Sequence, residues 1–415
     1  MAPLDVLIIG AGPAGSLMAA LLHARGLRVE VVERARFPRF AIGESLLPAC
    51  LDRLAEADLL EAVRARGYLR KDGALFVSAT ARRRYDFGRQ HTVGYDHAFQ
   101  VPRDDFDMTL ADAVAARGVP FAYETAVTAV STDPAPRVHL ESATGERVVE
   151  PRFIVDASGT GRVLPRALGL DRPSAEPPRA ALFAHMTGEH RPDGPDGGLI
   201  WIGLARPGVW LWVIPFADGR TSVGVVADAA WFDDLPADPA AALRAAIDLE
   251  PHVRQRLVDA RFIFPPRLLR GYSSSVSKVW GPGYCLVGNA TEFLDPVFSS
   301  GVLLALESSA LAAPLVAASL AGEPADWDRG YAHPLARGVD VFRAFVHAWY
   351  DGRLPEIIFA PRTLPSIERA ICSVLAGYVW DEGNPFVRDP DGRLTALAQR
   401  LERMAVTTAD EAPSS

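Results

Sequence analysis

The sequence predicts an α/β chain: a nucleotide-binding parallel sheet assembled from separate segments, a second domain of antiparallel strands, and a helical C-terminal region. Three observations carry this prediction. Residues 4–34 run strand, glycine turn, helix, strand; residues 171–269 hold short β-rich and aromatic runs; and from about Trp327 apolar residues recur at helical spacing. The expected boundaries are 1–75, 100–170 and 270–325 for a discontinuous nucleotide domain, and 76–99 with 171–269 for a β-rich substrate domain. Residues 326–405 form the helical region and 406–415 a small, polar, frayed tail.

The first element is Val6 to Ile9, then Gly10-Ala11-Gly12-Pro13-Ala14-Gly15, an Ala/Leu-rich helix to about Arg25, a strand from Leu27 to Val32, and Glu33-Arg34. Gly10, Gly12, Ala14 and Gly15 let the backbone approach a pyrophosphate at a helix N-terminus, while Glu33 closes on a ribose. A lone G-x-G-x-x-G is weak evidence. Its place between a strand and a helix, and the acidic residue ending the second strand, make it a dinucleotide site. Glu33 followed directly by Arg34 looks like the FAD-type version. Val127 to Val149 reads as a small antiparallel meander feeding a buried strand, Phe153 to Asp156. Tyr284 to Asn289 is a third nucleotide-side element leading towards the helix after Gly301.

Composition narrows the function. The longest apolar stretch, Val302 to Leu320, contains Glu307 and Pro314, which suits a buried helix better than a bilayer span. No leader is expected at the N-terminus, so the expectation is a soluble cytoplasmic protein with no membrane partner. A net charge of -8 argues against nucleic acid. Cys50, Cys285 and Cys372 are far apart and suit buried thiols in a reducing compartment; no metal site is apparent among nine scattered histidines. Of 43 cationic side chains, 41 are arginines and only Lys71 and Lys278 are lysines. Where arginine serves for almost every positive charge, a retained lysine is a candidate for amine chemistry, which a permanently protonated planar guanidinium cannot perform. The competing account is a surface charge left unreplaced.

The strand Trp210-Leu211-Trp212-Val213-Ile214-Pro215 places Trp210 and Trp212 on one face and Leu211 and Val213 on the other. Paired indoles make an aromatic wall that a plain core strand does not need. In Phe293-Leu294-Asp295-Pro296-Val297-Phe298-Ser299-Ser300-Gly301, the last three residues fall at a helix start, where unpaired amides and the helix dipole favour an anion; serine N-capping is expected there too. Phe342, Phe345, Trp349 and Tyr350 form a helical stripe that reads as core more readily than pocket.

Together these motifs resemble the flavin-dependent halogenases, whose members combine G-x-G-x-x-G, W-x-W-x-I-P and F-x-x-P-x-x-S-x-G segments. The likeness covers about residues 4 to 320, including Phe37-Pro38-Arg39 and Gly43-Glu44-Ser45-Leu46-Leu47-Pro48, and Lys71-Asp72-Gly73-Ala74-Leu75-Phe76 matches the setting of that family's lysine. The resemblance implies a Rossmann-type FAD domain of the glutathione-reductase-like and aromatic-hydroxylase-like kind. It implies reduced FAD (FADH2) delivered by a separate flavin reductase, and chloride or bromide held near Ser300 and Gly301. Hypohalous acid made there would pass to Lys71, with Trp210 and Trp212 keeping organic substrate from the flavin. Glu44 is a second polar group near that path, or else a structural carboxylate at a helix start. Arg103, Asn289, Asp295, Pro296 and Gly301 fall on the FAD side by the same resemblance, with an Arg103–Asp107 ion pair the competing account of Arg103.

Two departures qualify the match. Relatives read Gly-Asp-Ala where this chain has Gly288-Asn289-Ala290, which predicts altered rather than abolished FAD affinity. Relatives acting on free tryptophan carry glutamate where this chain has Phe298, so the expected substrate is a phenol, a pyrrole or an aromatic group tethered to a carrier protein. A related hydroxylase or isoprenoid-reductase type flavoprotein, and a non-catalytic flavin-binding partner of a biosynthetic assembly, are the alternatives.

Overall fold

The computed structural model describes residues 4–174, 176–361 and 364–410, the last six of these as backbone only. They divide into two compact units. One comprises residues 1–68, 101–177 and 272–337, the other residues 69–100, 178–271 and 338–415.

The first unit is built on a six-stranded sheet in the order Trp280–Gly281, Tyr284–Leu286, Phe153–Asp156, Val6–Ile9, Val29–Val32, Phe121–Ala122. Val6–Ile9 pairs in parallel with both Val29–Val32 and Phe153–Asp156. A parallel strand covered on both faces must be apolar throughout, and Val6, Leu7 and Ile8 are wholly buried. The helices Pro13–Ala24 and Ser300–Ala321 lie together through small residues: Ser309 Oγ donates to the Ala14 carbonyl at 3.0 Å, and a Cβ on Gly288 would meet Ala305 and Ala14 at 3.2 and 3.3 Å. The expected meander is present as Ala126–Ser131, Arg137–Ser142 and Gly145–Val149.

Ser300–Ala321 has the length and mean hydropathy (1.7) of a membrane span, but 67% of its most apolar window is buried inside the protein. Glu307, within it, binds Arg53 through bonds of 2.6 and 3.0 Å. Burial pushes the Glu307 carboxyl upward, and the Arg53 guanidinium opposes that shift.

The second unit carries an eight-stranded sheet in the order Arg261–Phe262, Arg179–Thr187, Arg220–Asp228, Val209–Pro215, Ile200–Arg206, Gly73–Ser78, Ala81–Asp86, with Arg267–Arg270 also paired to Arg179–Thr187. One face, including Leu75, Leu182, Leu211, Val213 and Val225, forms a core with Leu243, Ala246 and Val253 of the helices Pro239–Ile247 and Pro251–Arg256. The other face carries Trp210 and Trp212. Five helices follow, His333–Tyr350, Arg353–Phe359, Pro365–Leu375, Pro385–Arg388 and Pro390–Asp410. Residues 338–415 group with the strands of this unit. The final helix runs on to Asp410, through half of the stretch expected to fray, and Leu394, Leu397 and Ala398 bury one side of its first half. Residues 411–415 lie outside the described residues.

Candidate functional site

The glycine turn is built as its spacing demands. Gly10 has φ +104°, and a Cβ there would stand 2.5 Å from the Ala157 carbonyl oxygen; a Cβ on Gly15 would stand 1.9 Å from the Gly10 carbonyl oxygen. Neither position has room for a side chain. Gly12 caps the helix Pro13–Ala24 without any side-chain hydrogen bond, which leaves first-turn amides for a ligand. Glu33, 7% exposed, ends the second strand and accepts from the Ala11 amide through Oε2 and the Ala35 amide through Oε1, both at 3.0 Å.

Arg34 is exposed, and the guanidinium that reaches the turn belongs to Arg39. Its Nη2 lies 3.6 Å from Glu33 and 3.3 Å from where a Gly12 Cβ would be, and its Nη1 lies 3.2 Å from Asp107. Asp107 is fully buried and also takes two bonds from Arg103, at 2.7 and 3.0 Å, so the Arg103–Asp107 ion pair is present. Arg103 Nη1 donates to the Ile42 carbonyl at 2.6 Å. Glu33, Arg39, Asp107 and Arg103 thus alternate in charge beside the glycine turn. Arg39 was not assigned a role from the sequence, although Phe37-Pro38-Arg39 contained the signal; Asp107 was expected only as a partner of Arg103 and not of Arg39.

Glu44 is 2% exposed and its carbonyl accepts from the Val101 amide at 2.7 Å. The nearest helix begins at Pro48 with Leu47 as its cap, so Glu44 is not a helix-start carboxylate. At the other motif, Ser299 sits in the left-handed region (φ 55°, ψ 25°) and makes no side-chain cap to Ser300–Ala321, contrary to the expected serine N-cap. A left-handed backbone turns the hydroxyl away from the first-turn amides. Ser300 is buried. A Cβ on Gly301 would meet Phe293 at 3.2 Å and Asn289 Oδ1 at 3.9 Å, which brings these three motif residues together. The Asp295 carboxylate accepts from the Val297 amide at 3.0 Å and the Tyr272 hydroxyl at 3.2 Å, capping the turn Pro296–Phe298.

In the second unit Lys71 is 2% exposed, which removes the account of it as a surface charge. It ends the short strand Leu69–Lys71, opposite Ala98, with its ammonium 5.5 Å from the Phe87 ring centre. Gly73 follows because a Cβ there would strike the Tyr85 carbonyl oxygen at 2.0 Å.

The Trp210 and Trp212 rings lie 6.0 Å apart, tilted by 48°. Both are buried, at 1% and 5% exposure, and both indole N–H groups are satisfied: Trp212 donates to Ser222 Oγ at 3.0 Å and Trp210 to the Tyr350 hydroxyl at 2.9 Å. Trp212 also stacks on Phe183 at 6.2 Å. Tyr350 therefore belongs to the wall as well as to the helical stripe.

An FAD binding domain family matches residues 3–261. A tryptophan 2-halogenase of Chondromyces crocatus is 32% identical over 326 residues, covering 77% of this chain and 62% of that protein. A 1H-pyrrole-2-carbonyl-(peptidyl-carrier protein) chlorinase of Pseudomonas fluorescens is 29% identical over 334 residues, 74% of each chain. The flavin-dependent halogenase armH3 of Armillaria mellea is 32% identical over 353 residues, 77% of this chain and 68% of its own. The chain belongs to the flavin-dependent halogenases. The match thus spans 62% to 74% of the length of these three halogenases. Among solved structures, a flavoprotein/dehydrogenase of Cytophaga hutchinsonii superposes with TM-score 0.95 at 44% identity, over 97% of this chain and all of that one. The flavin-dependent brominase Bmp2 superposes with TM-score 0.84 at 25% identity, over 97% and 99%.

Membership in the halogenase family makes the chain an FAD-dependent enzyme, and its first unit fits that cofactor. The glycine cradle is closed to any side chain, Glu33 is a buried carboxylate bonded to the Ala11 amide of the turn, and the buried Nε of Arg39 has no acceptor among the described residues, as suits a guanidinium awaiting an anion.

Proposed function

We propose that this chain makes hypohalous acid from O2 and chloride or bromide and passes the halogen by way of Lys71 to an electron-rich aromatic ring. The ring is phenolic, pyrrolic or tethered to a carrier protein. Reduced FAD, supplied by a separate flavin reductase, provides the electrons that activate O2.

The chain's own residues divide the work. Gly10, Gly12, Ala14, Gly15, Glu33, Arg39 and Arg103 hold the adenosine and pyrophosphate side, with Arg39 in the place expected of Arg34. Asn289, Asp295, Pro296 and Gly301 shape the flavin side, and amides at Ser300 and Gly301 hold the halide. Trp210 and Trp212 keep the organic substrate from the oxidant. Lys71 hydrogen-bonds or captures hypohalous acid and presents its halogen to the ring, with Glu44 as a second polar group on that path.

The burial of Lys71 carries this reading: in a chain that keeps only two lysines, this one is held 2% exposed, where a long cationic side chain is seldom found. Phe298, buried at 4% exposure where a base for free tryptophan would stand, supports the phenol, pyrrole or carrier-bound classes. The chlorinase relative, named for a carrier-bound pyrrole, supports the carrier-bound class further. Purified protein given FAD, a flavin reductase, NADH and bromide, with phenolic, pyrrolic and free tryptophan acceptors, should yield product with the bromine isotope pattern by mass spectrometry. Absence of halogenated product from every acceptor class, with the cofactor bound, counts against it.

The 44% identical flavoprotein/dehydrogenase favours a second reading, a flavoprotein whose substrate reaches the flavin directly. Efficient oxidation or hydroxylation without halide in the same assay selects that reading.

A further inference from the structure

The last turn of the helix His333–Tyr350 lays two aromatic rings on the sheet face that bears the tryptophans. Trp349 packs on Phe76 at 5.8 Å, and Phe76 is two strands from the Trp strand through the register Phe76, Ile202, Trp212. Tyr350 takes the indole N–H of Trp210 at 2.9 Å. The Arg179 guanidinium lies 3.4 Å from the Tyr350 ring centre, on the far end of the same sheet face, and Arg179 is 5% exposed. A cation held that close to an aromatic ring away from water fixes the ring more firmly than either contact would in solvent. The two indoles of the wall are therefore held differently. Trp212 is fixed within the sheet, by Ser222 on the adjacent strand and by Phe183 beyond it. Trp210 is fixed from outside the sheet, by a side chain 140 positions later in the sequence.

We propose that Tyr350, held by Arg179, is a positioning residue for the Trp210 half of the wall. The phenol accepts the only hydrogen bond an indole can donate, so removing it leaves a buried N–H without its acceptor and frees the ring to turn. Turning Trp210 opens the wall without touching Lys71 or the glycine turn. This assignment rests on the proposed function only in what the wall does, not in how it is held.

The experiment uses the full-length chain carrying Tyr350→Phe, which keeps the ring under Arg179 and removes only the hydroxyl. Indole N–H resonances of 15N-labelled protein, with Trp210 assigned by its loss in Trp210→Phe, give a readout independent of turnover. The Trp210 resonance should shift, and its hydrogen exchange should accelerate by about tenfold or more, as loss of one hydrogen bond implies. Arg179→Leu should give the same change to a smaller degree. In turnover, Tyr350→Phe should raise the ratio of released hydrogen peroxide to halogenated product severalfold with the Kd for FAD unchanged. It should add nothing further in a Trp210→Phe background. An unmoved Trp210 resonance overturns the assignment, as does additivity of the two substitutions. A shifted resonance in a protein that turns over no halide leaves the Tyr350 contact standing and removes the halogenase reading instead.

Discussion

Trp212 lies across the backbone of Gly224 on the adjacent strand, so close that a Cβ on Gly224 would fall 2.3 Å from Cζ2 and 2.4 Å from Cη2 of the indole. The glycine is the seat of the ring. Gly224→Ala should push Trp212 off the strand, costing about 1–3 kcal/mol as an overpacked core does. Trp212→Ala should cost about 3–5 kcal/mol by leaving a cavity. Both should raise hydrogen peroxide release relative to product. A Gly224→Ala protein with unchanged Tm and unchanged coupling of O2 use to product would show that the ring's seat is not confining.

Lys71→Arg and Lys71→Met test different things. Both should keep FAD affinity, since Lys71 belongs to the unit that lacks the glycine turn, and both should lose halogenated product by two orders of magnitude or more, about what a group acting directly on the reactant contributes. Arginine keeps the charge without the compact amine. Product formation by Lys71→Arg at more than a small fraction of the wild-type rate would reduce the lysine to a positive charge.

The two central glycines should fail in different ways. Gly15→Ala drives a methyl into the Gly10 carbonyl, a backbone atom that cannot move aside, so the variant should be unstable and poorly recovered. Gly12→Val meets side-chain ends rather than backbone, Arg39 at 3.3 Å and Asp107 at 3.9 Å, so it should fold and lose FAD binding. Thermal unfolding and flavin fluorescence quenching separate the two outcomes. Arg39→Ala should weaken FAD with little change in Tm, and unchanged affinity would remove Arg39 from the cofactor site.

Cys285 and Cys372 should resist alkylation in the native protein from pH 7 to 9. Burial pushes the Cys372 thiol up to about 12, with Asp86 and Glu368 adding to the shift, and burial pushes Cys285 higher still. The reactive thiolate is therefore scarce throughout that range. Their labelling should follow unfolding and not thiol titration. A labelling rate at either cysteine that climbs tenfold per pH unit in folded protein, and exceeds the rate of unfolding, would contradict this.

The parts legible in the sequence were those written in one short stretch. The glycine turn, Glu33 and the alternation of the Trp strand each carry their reason within a few residues, and the retention of Lys71, one of two lysines, shows in the composition. What escaped was set by distance along the chain. Nothing near Trp210 indicates Tyr350, and an aromatic stripe on a helix looks like core whether or not one ring donates or accepts a bond. Gly224 was detectable in principle, as an isolated glycine within a β-branched run marks a close approach. Arg34 and Arg39 could not be separated by motif alone, because which arginine turns inward depends on the loop between them. The capping expectation at Ser299 failed for a related reason: residue type favours a cap, but the backbone there adopts a left-handed conformation.

The chain passes between its two units five times, at 68/69, 100/101, 177/178, 271/272 and 337/338. A ribosome releasing it from the N-terminus therefore cannot complete either unit early. Val6–Ile9 emerges first, yet its partner Phe153–Asp156 follows well over a hundred residues later, and Tyr284–Leu286, which pairs with that partner, later still. The half-made sheet must wait with open edges, exposed to pairing with other chains. Slow maturation is the expected outcome of this threading, whatever chemistry the finished protein performs.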